Sequence, residues 1–182
     1  MTCIVGVVDG KNVWLGGDSA GTAGDLSRTI IKDPKVFVRG DVGFGVCGSP
    51  KVMDALAHAI ELPKQKTGSD RSFLVGELVP AIRRGLKKLD AVMKHPVHGT
   101  LFEGSILIAY RGCLYNLESN FQLIQAANGT DAIGSGGELA RGSLQSSKSV
   151  RDPKQRIITA LEAATEGNAG VAPPYVVVAV KG

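Results

Sequence analysis

The residues of this 182-residue chain that have chemistry to offer are few and widely spaced. Thr2 stands directly behind Met1, and the β-rich run "TCIVGVVD" starts at once, without the polar slack that usually precedes a first strand. Its hydroxyl acts as a nucleophile only where a base takes its proton. Asp18 closes a strand, a place where an aspartate commonly caps a turn, and Lys35 of "DPKVF" reads by itself as a strand-edge lysine. Ser135 opens "SGGE", whose spacing to Glu138 fits a helix capping box. Gly48 of "CGSP" joins a strand to a helix, a tight passage suited to glycine. His95 and His98 share a loop but have no third ligand beside them, so no metal site is expected.

Cys3, Cys47 and Cys113 are odd in number and form no C-x-x-C pair, which points to reduced core thiols rather than to zinc or a redox dithiol. The length suits one domain spanning 1–182, able to bury about two-thirds of its unfolded surface without a metal or disulfide. Hydrophobic residues make up 43% and charged ones 21%, an apolar balance that leaves room for subunit interfaces. The formal charge of +4 is concentrated in "RRGLKKLD", where Arg83, Arg84, Lys87 and Lys88 fall on one helix face, as solvated residues do. With 5% aromatics and no groove-reading motif, nucleic acid is not an expected partner. The opening run has no basic segment and meets Asp9 too early for a signal peptide. The late apolar run "YVVVAV" falls far short of the roughly 18 residues of a membrane helix, so a cytoplasmic protein without membrane association is expected.

Two apolar runs flank Asp9-Gly10-Lys11 and two more flank Arg39-Gly40-Asp41, predicting a pair of hairpins. Ser49 and Pro50 then announce a helix with Val52, Leu56, Ala59 and Ile60 on its apolar stripe. After the polar link "PKQKTGSD", a second helix is expected from Ser69–Ser72 to about Met93, kinked or shortened by Pro80 and ended by "HPVHGT". Three short strands follow in "GSILIAYRG", "CLYNLES" and "NFQLIQA". Next come a Gly turn into a helix at "DAIGSGGELARG", a helix capped by Asp152 and Pro153, and a final strand in "PPYVVVAVK". Strand blocks each followed by a helix pair predict an α+β fold, a four-layer αββα sandwich of two antiparallel sheets flanked by helices.

Four segments in this order, "TCIVGVVDGKNVWLGGDSAGT", "DPKVF", "GFGVCGSPKVMDAL" and "AIGSGGELARG", resemble the N-terminal-nucleophile hydrolases of the proteasome β-subunit type. The likeness extends to bacterial members, including the peptidase half of the ATP-dependent two-component protease and the proteasome homologues of proteobacteria. It covers nearly the whole chain. It implies that removal of Met1 exposes Thr2, whose α-amine, with an ordinary pKa of about 7.7–8.0, then serves as base for its own hydroxyl. By the same resemblance Lys35 favours the alkoxide and keeps the amine neutral, and Asp18 holds Lys35. The Gly48 N–H, with the positive end of the following helix, forms the oxyanion hole, and Ser135 hydrogen-bonds near the Thr2 amine.

Two departures stand out. The loop between Asp18 and Lys35 is one residue longer than the pattern, and Asn168 replaces an aspartate that orients Ser135 and the amine. An amide keeps hydrogen bonds but not the charge. The resemblance further implies a peptide substrate paired as an added strand with Gly21 and Thr22 on one side and Gly48 on the other. Val46 would floor the pocket for the side chain before the scissile bond, with a leaning to apolar residues. Homo-oligomeric stacked rings of six or seven subunits, polypeptide substrates and an unfolding ATPase regulator follow from the same likeness, with no cofactor. The scaffold leaves open a non-catalytic ring-forming subunit and a small-molecule amidase.

Overall fold

The computed structural model describes residues 1–22 and 27–182. The two expected hairpins form first: β1 (Ile4–Asp9) pairs with β2 (Asn12–Gly17), and β5 (Val36–Arg39) pairs with β6 (Val42–Gly48). Gly10 and Gly40 both take a φ of 59°, the left-handed turn conformation that glycine adopts without strain. Between the hairpins lie two short strands not foreseen from sequence, β3 (Ala20–Thr22) and β4 (Arg28–Ile30), paired with each other.

One four-stranded sheet has the order β12-β1-β2-β13, with β12 at Thr130–Ile133 and β13 at Val176–Val180. A five-stranded sheet has the order β11-β10-β9-β6-β5, formed with β9 (Gly104–Tyr110), β10 (Cys113–Leu117) and β11 (Leu123–Gln125). Alternation along each strand decides what faces what. In β1, Val5 and Val7 pack with Cys3 against α4 (Gly137–Ser146) and α5 (Pro153–Gly167), while Ile4 turns to the opposite sheet. In β6, Val42, Phe44 and Val46 face the other helices, and Cys47 faces inward with Leu107 and Ala109 of β9. The result is the expected four-layer αββα sandwich.

The helices over the five-stranded sheet depart from the expected outline. Helix α1 (Pro50–Asp54) runs on into a π turn, Ala55–Ala59, closed by a bond from the Ile60 N–H to the Ala55 carbonyl five residues back. That wider turn rotates Ala59 off the apolar stripe, so it is exposed while Val52, Leu56 and Ile60 are buried. Helix α2 (Asp70–Phe73) begins at the Ser69 cap, passes through a π turn at Leu74–Leu78 and continues as α3 (Val79–Lys88). The interruption falls just before Pro80, where an α-helical register would need an N–H that proline lacks. This helix stops at Lys88 rather than near Met93, because Asp90 adopts a left-handed φ of 53° and the Ala91 N–H closes back on the Leu86 carbonyl. "HPVHGT" belongs to a further hairpin of β7 (Met93–His95) and β8 (Gly99–Leu101).

The two sheets approach closely because β6 places glycines on their shared face. A Cβ at Gly45 would lie 2.4 Å from Cγ2 of Ile4 on the facing strand. Gly45→Ala is expected to cost about 1–3 kcal/mol through overpacking. Gly76→Ala, in open helix surface with nothing within 4 Å, is expected to be neutral or stabilising. Urea unfolding of both variants checks the pair.

Candidate active site

The first strand starts so early because residues 2 and 3 are themselves anchored by the sheet. The Cys3 N–H donates to Oδ1 of Asp18 at 2.9 Å, and the Asp18 N–H donates to the Cys3 carbonyl at 3.3 Å. Asp18 lies just past the end of β2, so the β1–β2 register delivers it beside the start of the chain. The opposite sheet contributes Lys35, one residue before β5, with its carbonyl accepting from the Val46 N–H at 2.9 Å. Thr2, Asp18 and Lys35 are all buried.

The Lys35 ammonium meets three acceptors: Oδ1 of Asp18 at 2.9 Å, Oγ1 of Thr2 at 3.0 Å and the Ala20 carbonyl at 2.6 Å. An ammonium has three hydrogens, so the set matches its donor capacity. Asp18 is equally occupied, since Oδ2 accepts from the Ala20 N–H at 2.9 Å and the Ala172 N–H at 3.4 Å. Its turn-capping and lysine-holding roles are therefore combined.

Ser135 follows β12 and precedes α4. The helix is capped at Gly136 with no side-chain bond, so the capping box does not form. The Ser135 hydroxyl instead accepts from the Thr2 N–H at 3.1 Å and donates to the Thr2 carbonyl at 3.3 Å. The Gly136 N–H donates to the same carbonyl at 3.2 Å. Gly134 permits this approach, since a Cβ there would fall 2.3 Å from the Thr2 oxygen and its φ is 90°. Asn168 caps the end of α5, donating from Nδ2 to the Ser135 carbonyl at 2.9 Å and accepting from the Gly170 N–H at 3.0 Å. Its contact is with the Ser135 backbone, where an aspartate would have no hydrogen to give. Glu166 is exposed.

Gly48 has a φ of 101°, and a Cβ would lie 2.5 Å from the Glu103 carbonyl oxygen, so both conformation and space require glycine. It is exposed and lines a cavity of about 590 Å³, together with Thr2, Gly21, Thr22, Val46 and Lys35. Met1 also lies in it, its ammonium donating to Oγ1 of Thr22 at 2.7 Å and its carbonyl accepting from the Thr2 hydroxyl at 2.5 Å. With Met1 attached, the Thr2 nitrogen is an amide donor and not a base. The neighbouring Cys3 thiol offers no competing nucleophile: burial, reinforced by Asp18, pushes its pKa up to about 12.

Residues with no site role expected from the sequence also line the cavity. Ile31 and Asp33 line it with Lys35, all three from the bent segment between β4 and β5. Pro50, Met53 and Asp54 line it at i, i+3, i+4 on α1. That spacing is visible in the sequence, but only the fold turns it toward the cavity. Away from this site, His95 and His98 stack with ring centroids 4.7 Å apart, and Nδ1 of His95 accepts from the N–H groups of Val97 and His98. Among the described residues no group of three or more His, Cys, Asp or Glu is placed to hold a metal, and no helix is long and apolar enough to cross a membrane.

No family model matches the chain, and no curated protein matches it. Solved structures do. Thiobacillus denitrificans BPH in complex with epoxomicin is similar with a TM-score of 0.79 at 17% identity, covering 99% of this chain and 98% of that one. Eukaryotic HslV from Trypanosoma brucei gives 0.70 at 20% identity over 100% of both chains. Anbu from Yersinia bercovieri gives 0.69 at 13%, over 99% of this chain and 82% of that one. At these identities the likeness shows a shared fold.

The buried ion pair gives the site a measurable stability signature. Asp18→Ala strands the Lys35 charge and is expected to lower stability by about 3–5 kcal/mol, whereas Asp18→Ala with Lys35→Met removes both charges and recovers much of the loss. Urea unfolding of the single and double variants measures both.

Proposed function

We infer that this chain, which carries the fold of the proteasome-type N-terminal-nucleophile hydrolases, is a threonine peptidase whose nucleophile is Thr2. The observation that carries the reading is the contact of the Lys35 ammonium with the Thr2 hydroxyl inside an otherwise saturated buried network.

Removal of Met1 converts the Thr2 amide nitrogen into a primary amine next to Ser135 and frees the hydroxyl from the Met1 carbonyl. The hydroxyl proton then passes to the amine as Oγ1 attacks the carbonyl carbon of a bound peptide. Lys35 stabilises the developing negative charge on Oγ1, and Asp18 keeps its ammonium aimed there. The Gly48 N–H receives the oxyanion of the tetrahedral intermediate. Collapse expels the amine of the leaving peptide, which takes the proton from the Thr2 ammonium, and leaves an ester on Oγ1. Water attacks that ester, giving one proton to the Thr2 amine; the bond between the acyl carbon and Oγ1 then breaks, Oγ1 takes that proton back from the Thr2 ammonium, and the carboxylic acid product leaves. Asn168 acts through the Ser135 carbonyl and so positions the loop rather than supplying charge.

The substrate is a polypeptide in extended form, paired between Gly21 and Thr22 on β3 and Gly48 on β6, with Val46 in the wall beside the scissile bond. Homo-oligomeric rings enclosing these sites, and an unfolding ATPase that feeds them, complete the reading. Hydrolysis of fluorogenic peptides by wild type, Thr2→Ala, Thr2→Ser and Lys35→Ala tests it. Thr2→Ala is expected to abolish turnover and Thr2→Ser to retain part of it. Lys35→Ala is expected to lower kcat by about 10²–10³, the scale of losing one oriented charge-stabilising donor. Equal turnover by wild type and Thr2→Ala overturns the reading.

A further inference from the structure

The cavity beside Thr2 combines an apolar interior with two carboxylates. Val46 and Met53 are buried in its wall, whereas Asp33 and Asp54 are exposed and line the same space. They come from separate segments, Asp33 from the bent stretch before β5 and Asp54 from the end of α1. Neither takes part in any ion pair among the described residues.

The other charged groups of the wall do not cancel them. Lys35 is neutralised by Asp18 at 2.9 Å, and both are buried. Arg28 of β4 lines the cavity and donates from Nη1 to the Ala169 carbonyl at 3.2 Å, which leaves one guanidinium against two carboxylates. A cationic group already lies in this cavity: the Met1 ammonium, bonded to Thr22.

We propose that this site selects lysine or arginine as the residue before the scissile bond. The proposal rests on the peptidase reading given above. It replaces the apolar preference expected from Val46 by itself with a divided pocket. The methylene stem of a long basic side chain packs along Val46 and Met53, and its charged head reaches Asp33 and Asp54 at the wetter part of the wall. An acidic side chain meets net repulsion there, and a short apolar one leaves the carboxylates unused.

Peptides identical except for lysine, norleucine or glutamate before the scissile bond separate charge from chain length. Their kcat/KM values are measured for the Met1-processed protein and for Asp33→Asn, Asp54→Asn and the double variant. For the wild type, lysine is expected to exceed norleucine by about tenfold, the scale of two partly exposed charge pairs, with glutamate lowest. In the double variant that ratio falls toward unity, and raising the salt concentration reduces the wild-type ratio in the same direction. Turnover with norleucine equal to or above lysine, or a ratio that the double variant leaves unchanged, overturns the inference while the peptidase reading stands. No turnover of any of the three peptides overturns both.

Discussion

An ammonium removed from water must give its hydrogens to protein acceptors or lose several kcal/mol of solvation, and the region around Lys35 supplies one acceptor for each. Oδ1 of Asp18, the Ala20 carbonyl and the Thr2 hydroxyl come from the start of the chain and the segment after β2. Lys35 itself belongs to the approach to β5 in the other sheet. The charge therefore ties the two sheets together at one end of the sandwich. Its third hydrogen has Oγ1 of Thr2 as acceptor, so the requirement that stabilises the pair also fixes the hydroxyl.

The same constraint organises the surroundings. Asp18 binds the backbone of Cys3, Ala20 and Ala172, and so fastens the chain start, the segment leading to β3 and the approach to β13 around one carboxylate. Ser135 and Gly136 hold the Thr2 backbone from the side of α4. Gly48 and Gly134 let backbone segments come closer than a Cβ would allow, and Gly45 does the same for the Ile4 side chain. Buried Val46 and Met53 and exposed Asp33 and Asp54 all line the cavity wall.

Much of the fold was legible because local signals agreed with tertiary ones. Gly10 and Gly40 marked hairpins, Asp152 with Pro153 marked α5, and alternating or continuous apolar runs marked the strands. Thr2, Asp18, Lys35, Gly48 and Ser135 were picked out on resemblance, and the structure gathers them around one corner and one cavity. Features set by competition between local and distant contacts were not legible. The π turn that displaces Ala59 has no local sequence signal, unlike the interruption before Pro80, which the proline announces, and β3, β4, β7 and β8 are too short to show a period. The partner of Asn168 was also hidden, because choosing between the Ser135 hydroxyl and its carbonyl takes the geometry of the α5 terminus.

The central claim is that Lys35 prepares Thr2 as a nucleophile. Its most direct test is the intact and N-terminal peptide mass of the protein purified from cells, with and without a threonine-directed covalent inhibitor. The account predicts loss of Met1 and a single inhibitor mass on Thr2, with the adduct much reduced in Lys35→Ala. A chain that keeps Met1, or a free Thr2 that never takes the inhibitor, would contradict it.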